Sequence, residues 1–357
     1  MKRGCVIGYD INEKGCQISY YDDSMEEPDT MMASSNNYLI PLVLGYFKDR
    51  WVFGKEAKRL AVVGEDCTET DLYGKAKRRE KVSLAGKTYD AVWLLAKYIS
   101  LTLQDFENIQ YLTFTTPETD VDMAKMLKGI GQHIGVDKEI INVQDYKESF
   151  CQYMIFQPKE LWQYESALFY CDEDRIKAYM LRRLRVDASH GMNSFVTVDE
   201  VANAQRKELE ALYPIMNKEK SPDESFKSMI ENVFEKKVIS SVYLTGEGFE
   251  KNWYPNSLRV LCNGRRAFMG NNLYSKGACY KSIRKCEPND DGPIYLDETK
   301  LTERICLRMR VDGQEGWYPL VTWGTHWYEA DGQWEVLLED ASDIEILVES
   351  LVDEEVQ

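Results

Sequence analysis

Histidine is nearly missing from this sequence: His133, His190 and His326 are the three it has, and none stands in an HExxH pattern or beside paired cysteines. A histidine-bound metal or a Ser-His-Asp hydrolase is therefore hard to assemble from it. CxxC spacing is absent too, and the nine cysteines are scattered as reduced thiols of a cytoplasmic protein would be, not as a disulfide framework. The longest apolar run, residues 38–47, is broken by Pro41 and Gly45 and falls far short of the roughly 20 residues that cross a bilayer. The opening MKRGCVIGYD passes from two basic residues straight into a strand pattern, so neither a signal peptide nor a membrane partner is expected. Positive charge is in deficit, with 44 Lys and Arg against 60 Asp and Glu, a net −16. That leaves no broad basic face for a phosphate backbone and argues against nucleic acid as a partner. The local run Lys75-Ala76-Lys77-Arg78-Arg79 reads as a solvated helix face.

Core material, by contrast, is plentiful. Hydrophobic residues make up 44% and aromatics 12%, enough for a large core over two or three domains. Strand and helix patterns alternate along the first half in the manner of an α/β protein. Strands over residues 5–9 and 16–21 predict a hairpin, and residues 42–46 and 51–53 predict another. Helices are expected over 89–103, 121–134 and 145–156, with strands at 111–116 and 140–143. A further hairpin, 167–171 and 176–181, turns at Asp172-Glu173-Asp174-Arg175. Two polar helices are expected over 198–212 and 224–236. Beyond a Pro/Asn/Asp/Gly linker at 287–292, segments 304–311, 317–322, 326–330, 334–338 and 344–348 predict a small β domain with its tryptophans in the core.

The most informative stretch is 237–285. KVISSVYLTGEGF predicts a buried strand over 238–244 that runs into a glycine turn at Thr245, Gly246 and Gly248, and RRAFMGNNLYSKGACYKSI predicts a helix entered at Gly270-Asn271-Asn272. Glycine lets backbone amides approach a ligand, because no Cβ intervenes and positive φ costs little. VYLTGEGF resembles the adenosine-contacting segment of the actin, hexokinase and heat-shock chaperone ATPase superfamily, and NLYSKGACY is similar to the second interdomain helix that follows it there. VIGYDINEKGCQIS resembles the first phosphate hairpin. NNYLIPLVLGYFKDRWVFGKEA and YLTFTTPET place the resemblance nearest the nucleotide-binding domain of the 70-kilodalton heat-shock chaperones, as a degenerate bacterial branch.

The resemblance implies a two-lobed actin-like ATPase (ribonuclease H-like) fold over 1–286, with lobe I about 1–157 and lobe II about 158–286, followed by the linker 287–292. A β-rich domain over 293–357 would then resemble the start of a chaperone peptide-binding sandwich. ATP or ADP with magnesium would be the cofactor. Asp10 would hold the metal shell and act catalytically with Asp172, the aspartate of the second hairpin. Asn12, Lys14 and Gly15 would face the phosphates, and Thr245, Gly246, Glu247, Gly248 and Phe249 the adenosine. The sequence departs from that pattern in both turns. Ile11-Asn12-Glu13-Lys14-Gly15 stands where the family prefers glycine and threonine, and Glu173, Asp174 and Arg175 replace the cradling glycines. Added carboxylates repel a triphosphate by roughly 1 kcal/mol or more per close pair. The expectation is a pseudo-ATPase, a nucleotide-binding or switch protein with weak or absent hydrolysis that acts through protein partners or peptide. The alternative is an actin-like scaffold or filament subunit that binds no nucleotide.

Overall fold

Runs of β-branched and aromatic residues form two six-stranded sheets in the computed structural model, which describes residues 4–34, 37–63, 67–184, 194–205, 221–287, 292–333, 335–337 and 343–351. The first contains β1 (Cys5–Ile11), β2 (Gly15–Tyr21), β3 (Asp29–Thr30), β4 (Ile109–Thr116) and β5 (Ile141–Asp145), in the order β5-β4-β1-β2-β3, with Ile40–Pro41 also paired to β2. β1 runs antiparallel to β2 and parallel to β4, which is parallel to β5. The second contains β6 (Glu165–Cys171), β7 (Arg175–Leu184), β8 (Phe195–Gln205), β9 (Ile239–Thr245) and β10 (Arg266–Met269), in the order β10-β9-β6-β7-β8. Its strand directions repeat those of the first sheet, and Ile294–Tyr295 extends it beside β8. The molecule is thus mixed α/β, with one strand plan used twice.

Helix α1 (Ala91–Thr102) and helix α2 (Val121–His133) pack on the first sheet through Leu94, Leu95, Met123 and Leu127. Between the sheets run α3 (Tyr146–Ile155) and, later in the chain, a second central helix. On the second sheet lies α4 (Pro222–Phe234), whose Phe226, Ile230 and Val233 fill that sheet's own core. Ser221 and Glu224 form a capping box at its start, with Pro222 in the first turn where no amide is needed. The second central helix is α5 (Leu273–Cys286), and two glycines let it come close to its neighbours. A Cβ at Gly277 would lie 2.0 Å from the Ser149 carbonyl oxygen on α3, and one at Gly8 on β1 would lie 2.1 Å from that of Ser275. Short hydroxyls fasten these contacts: Ser19 with Ser275 at 2.8 Å, Thr113 with Ser282 at 2.8 Å, and Thr115 with Ser149 at 2.7 Å. Among the described residues no helix is long and apolar enough to cross a membrane.

The segment expected to be helical over 198–212 is instead the strand β8 as far as Gln205; residues 206–212 lie outside the described residues. Its Ala, Gln and Glu favour a helix in isolation, but ladder pairing with β7 from Phe195 to Gln205 overrides that local preference. Residues 288–291 of the expected linker, and residues 334 and 338 of one expected strand, also lie outside the described residues.

Past that point, Glu303–Val311, Gln314–Val321 and Ile346–Ser350 form a three-stranded sheet. The expected strand over 326–330 is a series of turns with one bridge from His326 to Lys300. This module is docked on the rest of the molecule. Trp323 sits in a cluster with Phe195 and Leu296. Lys300 reaches inward so that its Nζ lies 2.9 Å from Glu148 on α3, where Lys281 of α5 also binds at 3.0 Å and the His326 ring stands 3.9 Å away. Burial alone would raise the Glu148 carboxyl, but Lys281, Lys300 and His326 hold it well below the usual carboxylate range. Glu148→Ala would leave the ammonium groups of Lys300, 5% exposed, and Lys281, 24% exposed, without their shared carboxylate. It should lose about 3–5 kcal/mol in urea unfolding, and a loss below about 1 kcal/mol would show that the cluster does not carry that weight.

Candidate functional site

Asp10 is the last residue but one of β1, on the face that looks toward the central helices, with Gln17 of β2 and Thr115 of β4 beside it in the ladder. It is 3% exposed. The Tyr146 hydroxyl donates to its Oδ1 at 2.8 Å, and Asn12 donates its side-chain amide to that same hydroxyl at 3.0 Å. Tyr146 opens α3, where the N-cap carboxylate of Asp145 accepts from the Glu148 amide at 2.8 Å. Its ring lies flat on that of Tyr274 in the first turn of α5, centroids 3.7 Å apart and planes within 6°. Tyr170 borders both rings. Burial pushes the carboxyl of Asp10 up to about 7 against the opposing Tyr146 hydrogen bond, and burial pushes Asp145 up to about 7 as well.

The two hairpin turns are built alike. The Asn12 side-chain oxygen accepts from the amides of Lys14 at 2.9 Å and Gly15 at 3.2 Å, while Asp172 Oδ1 accepts from those of Asp174 and Arg175 at 2.8 Å each. In each, a side chain closes its own turn. Asp172 therefore stands where Asn12 stands in the first sheet, and the second-sheet counterpart of Asp10 is Tyr170. Lys14 makes an ion pair with Glu247 and so joins the first turn to the glycine turn after β9.

In that glycine turn the missing side chains face the protein itself. Gly246 has φ +99°, and a Cβ there would lie 2.1 Å from the Cys171 carbonyl oxygen; one at Gly248 would lie 2.3 Å from Cys171 Sγ. The Trp253 ring nitrogen donates to the Gly248 carbonyl at 2.8 Å, Thr245 is buried, and Phe249 is a core residue among Phe226, Trp253 and Tyr254. The structure thus gathers Asp10, Asn12, Lys14, Gly15 and Glu247 at one end of the central helices. It sets Asp172 against the glycine turn through Cys171, and it turns Thr245 and Phe249 inward.

Sequence reasoning missed Tyr146, Tyr170 and Tyr274, which fill this end. With 22 tyrosines against 12 phenylalanines the chain is rich in rings that carry a polar tip, but nothing in their spacing marks these three. As arranged, the residues do not fit a magnesium-bound nucleotide. Magnesium needs open oxygen ligands and keeps several waters, whereas the Asp10 carboxyl is enclosed and held by Tyr146. Among the described residues no group of three or more His, Cys, Asp or Glu is placed to hold a metal.

Because the folded-state pKa of Asp10 is raised, its carboxyl favours folding while protonated, and that contribution is lost as pH climbs from about 4 through about 7. Asn in its place still accepts from Tyr146. Asp10→Asn should flatten this part of the thermal-stability profile and gain more melting temperature at pH 8 than at pH 5. A profile parallel to that of the wild type would rule out the buried titration; Asp145 accounts for whatever slope persists.

The family model described as "Family of unknown function (DUF5716) C-terminal" matches residues 27–298, and one described as "Domain of unknown function (DUF8552)" matches residues 300–357. No curated protein matches the chain. The first match covers well over half of the sequence and includes β6 to β10 of the second sheet and the two central helices, so the protein belongs to the DUF5716 C-terminal family.

Proposed function

We propose that the chain keeps an actin-like, ribonuclease H-like shape and uses it as a protein-binding scaffold without nucleotide. The repeated strand order, with two helices between the sheets, supports the two-lobed architecture that the sequence resemblance implies. The observation that carries the functional part is Tyr146. Its hydroxyl occupies the Asp10 carboxylate, and its ring, stacked on Tyr274, takes the space where that resemblance would place magnesium and phosphates. The Lys14 charge that would meet a phosphate is already met by Glu247. The C-terminal module, bound through Glu148 and Lys300, fits a fixed part of the scaffold better than a swinging peptide clamp.

A nucleotide-binding switch with weak or absent hydrolysis is the second reading, and one observation favours it. Among the described residues the buried Tyr274 hydroxyl has no hydrogen-bond partner, a group that a ligand could satisfy once Tyr146, stacked on it, swung away. Melting curves with ADP or ATP and magnesium separate the two. The scaffold reading expects no shift, whereas a ligand at 100 times its Kd adds about 2.7 kcal/mol and raises the midpoint by several degrees. A shift that appears only in Tyr146→Ala would identify the tyrosine as the plug and leave the wild-type reading intact. Gly246→Val is not a clean control, since its side chain would strike the Cys171 carbonyl.

Hydrolysis should likewise be absent. Phosphate release by the purified protein is expected at the level of the buffer blank and unchanged in Asp10→Ala. Turnover in the wild type that Asp10→Ala abolishes would overturn the proposal.

A further inference from the structure

On the outer side of the first sheet, away from the central helices, α1 and α2 lie side by side and leave a groove of about 320 Å³ between them. Its floor is apolar, made by Ala96, Met126 and Ile130. One wall is Trp93, a 38% exposed ring held in place by stacking on Tyr89 at 5.5 Å and by Trp51 at 5.8 Å. Arg79, Lys125 and His133 form the rim, and no acidic residue lines it. Among the described residues neither Arg79 nor Lys125 has an ion-pair partner. This is a local positive edge on a chain of net charge −16.

Gly129 gives the groove its depth. Glycine weakens a helix interior, and at Gly131 on the same helix a Cβ would lie 2.6 Å from the tip of the Ile141 side chain, which would have to shift to admit it. At Gly129 a Cβ would meet nothing within 4 Å, so the protein's own packing asks for no glycine there. The missing side chain instead keeps the space beside Trp93 open.

We infer that this groove docks an acidic segment of a partner protein. A bulky apolar side chain of the segment would lie over Gly129 against Trp93, and flanking carboxylates would meet Arg79 and Lys125. Charge complementarity selects that occupant: an apolar floor within a cationic rim rejects basic and purely polar segments. The inference does not depend on whether the chain binds nucleotide, and its failure would leave the melting experiment's result standing.

The test uses the full chain and a fluorescein-labelled peptide with one tryptophan centred among glutamates, read by anisotropy. Controls carry alanine for the tryptophan or lysines for the glutamates. The acidic peptide should bind with an affinity that falls as salt rises. Alanine in the peptide, or Gly129→Leu in the protein, should each weaken it by about tenfold or more. Gly129→Leu has room for its side chain, so an unchanged melting temperature confirms that it folds. The double change Arg79→Glu, Lys125→Glu should abolish preference for the acidic peptide. Equal binding of the lysine peptide, no effect of Gly129→Leu, or self-association of the chain that Gly129→Leu abolishes would each overturn the proposal, the last in favour of a second copy as occupant.

Discussion

Backbone meets backbone where α5 crosses α3 at Gly277, and much of the interior follows from that approach. Any side chain at position 277 would force the helices apart and pull α5 away from β1, where Gly8 permits a similar contact. At this separation only short side chains fit between helix and sheet, which is why serine and threonine pairs line it. Each such hydroxyl is satisfied by another. One turn before the crossing on each helix stands a tyrosine, Tyr146 on α3 and Tyr274 on α5. Helices this close leave their rings nowhere to lie but face to face. The stacked tyrosine pair beside Asp10 is thus a product of the same geometry that holds the two sheets at their spacing.

Buried carboxyls in the molecule solve the same problem in two ways. Glu148 is surrounded by cations from two other segments and stays charged, and its contribution to stability is lost only as pH falls below the ordinary glutamate range. Among the described residues no cation pairs with Asp10, Asp145 has only Lys147 at 3.9 Å, and burial raises both to about 7. Acidification therefore weakens the attachment of the C-terminal module while it relieves the end of β1. The two responses have opposite signs within a single core, set by neighbours and not by depth.

The strands and helices of the first half could be read from periodicity, since apolar residues at two- and 3.6-residue spacing must face a core whatever the topology. The glycine turn was also visible, but its meaning was not. A ligand and the carbonyl of Cys171 both demand the absence of a Cβ at Gly246, and a sequence records only the absence. β8 was unreadable for another reason: after Val198 it mixes helix formers such as Glu200, Ala202, Ala204 and Gln205 with valines, and pairing with β7 decides for the strand. Glu148, Lys300 and His326 lie far apart in the chain, so nothing local announces that they meet. The tyrosines over Asp10 were hidden in the same way.

The contact between Glu148 and Lys300 crosses the border between the two sequence families, which meet at residue 299. A boundary of inheritance is therefore not a boundary of packing here. If recombination supplied the first segment without the second, Glu148 would keep Lys281 but lose Lys300 and His326. If it supplied the second alone, Lys300 would have no carboxylate on α3 to meet. Either exchange would need compensating changes at once, so a substitution at 148, 281, 300 or 326 is felt in both segments.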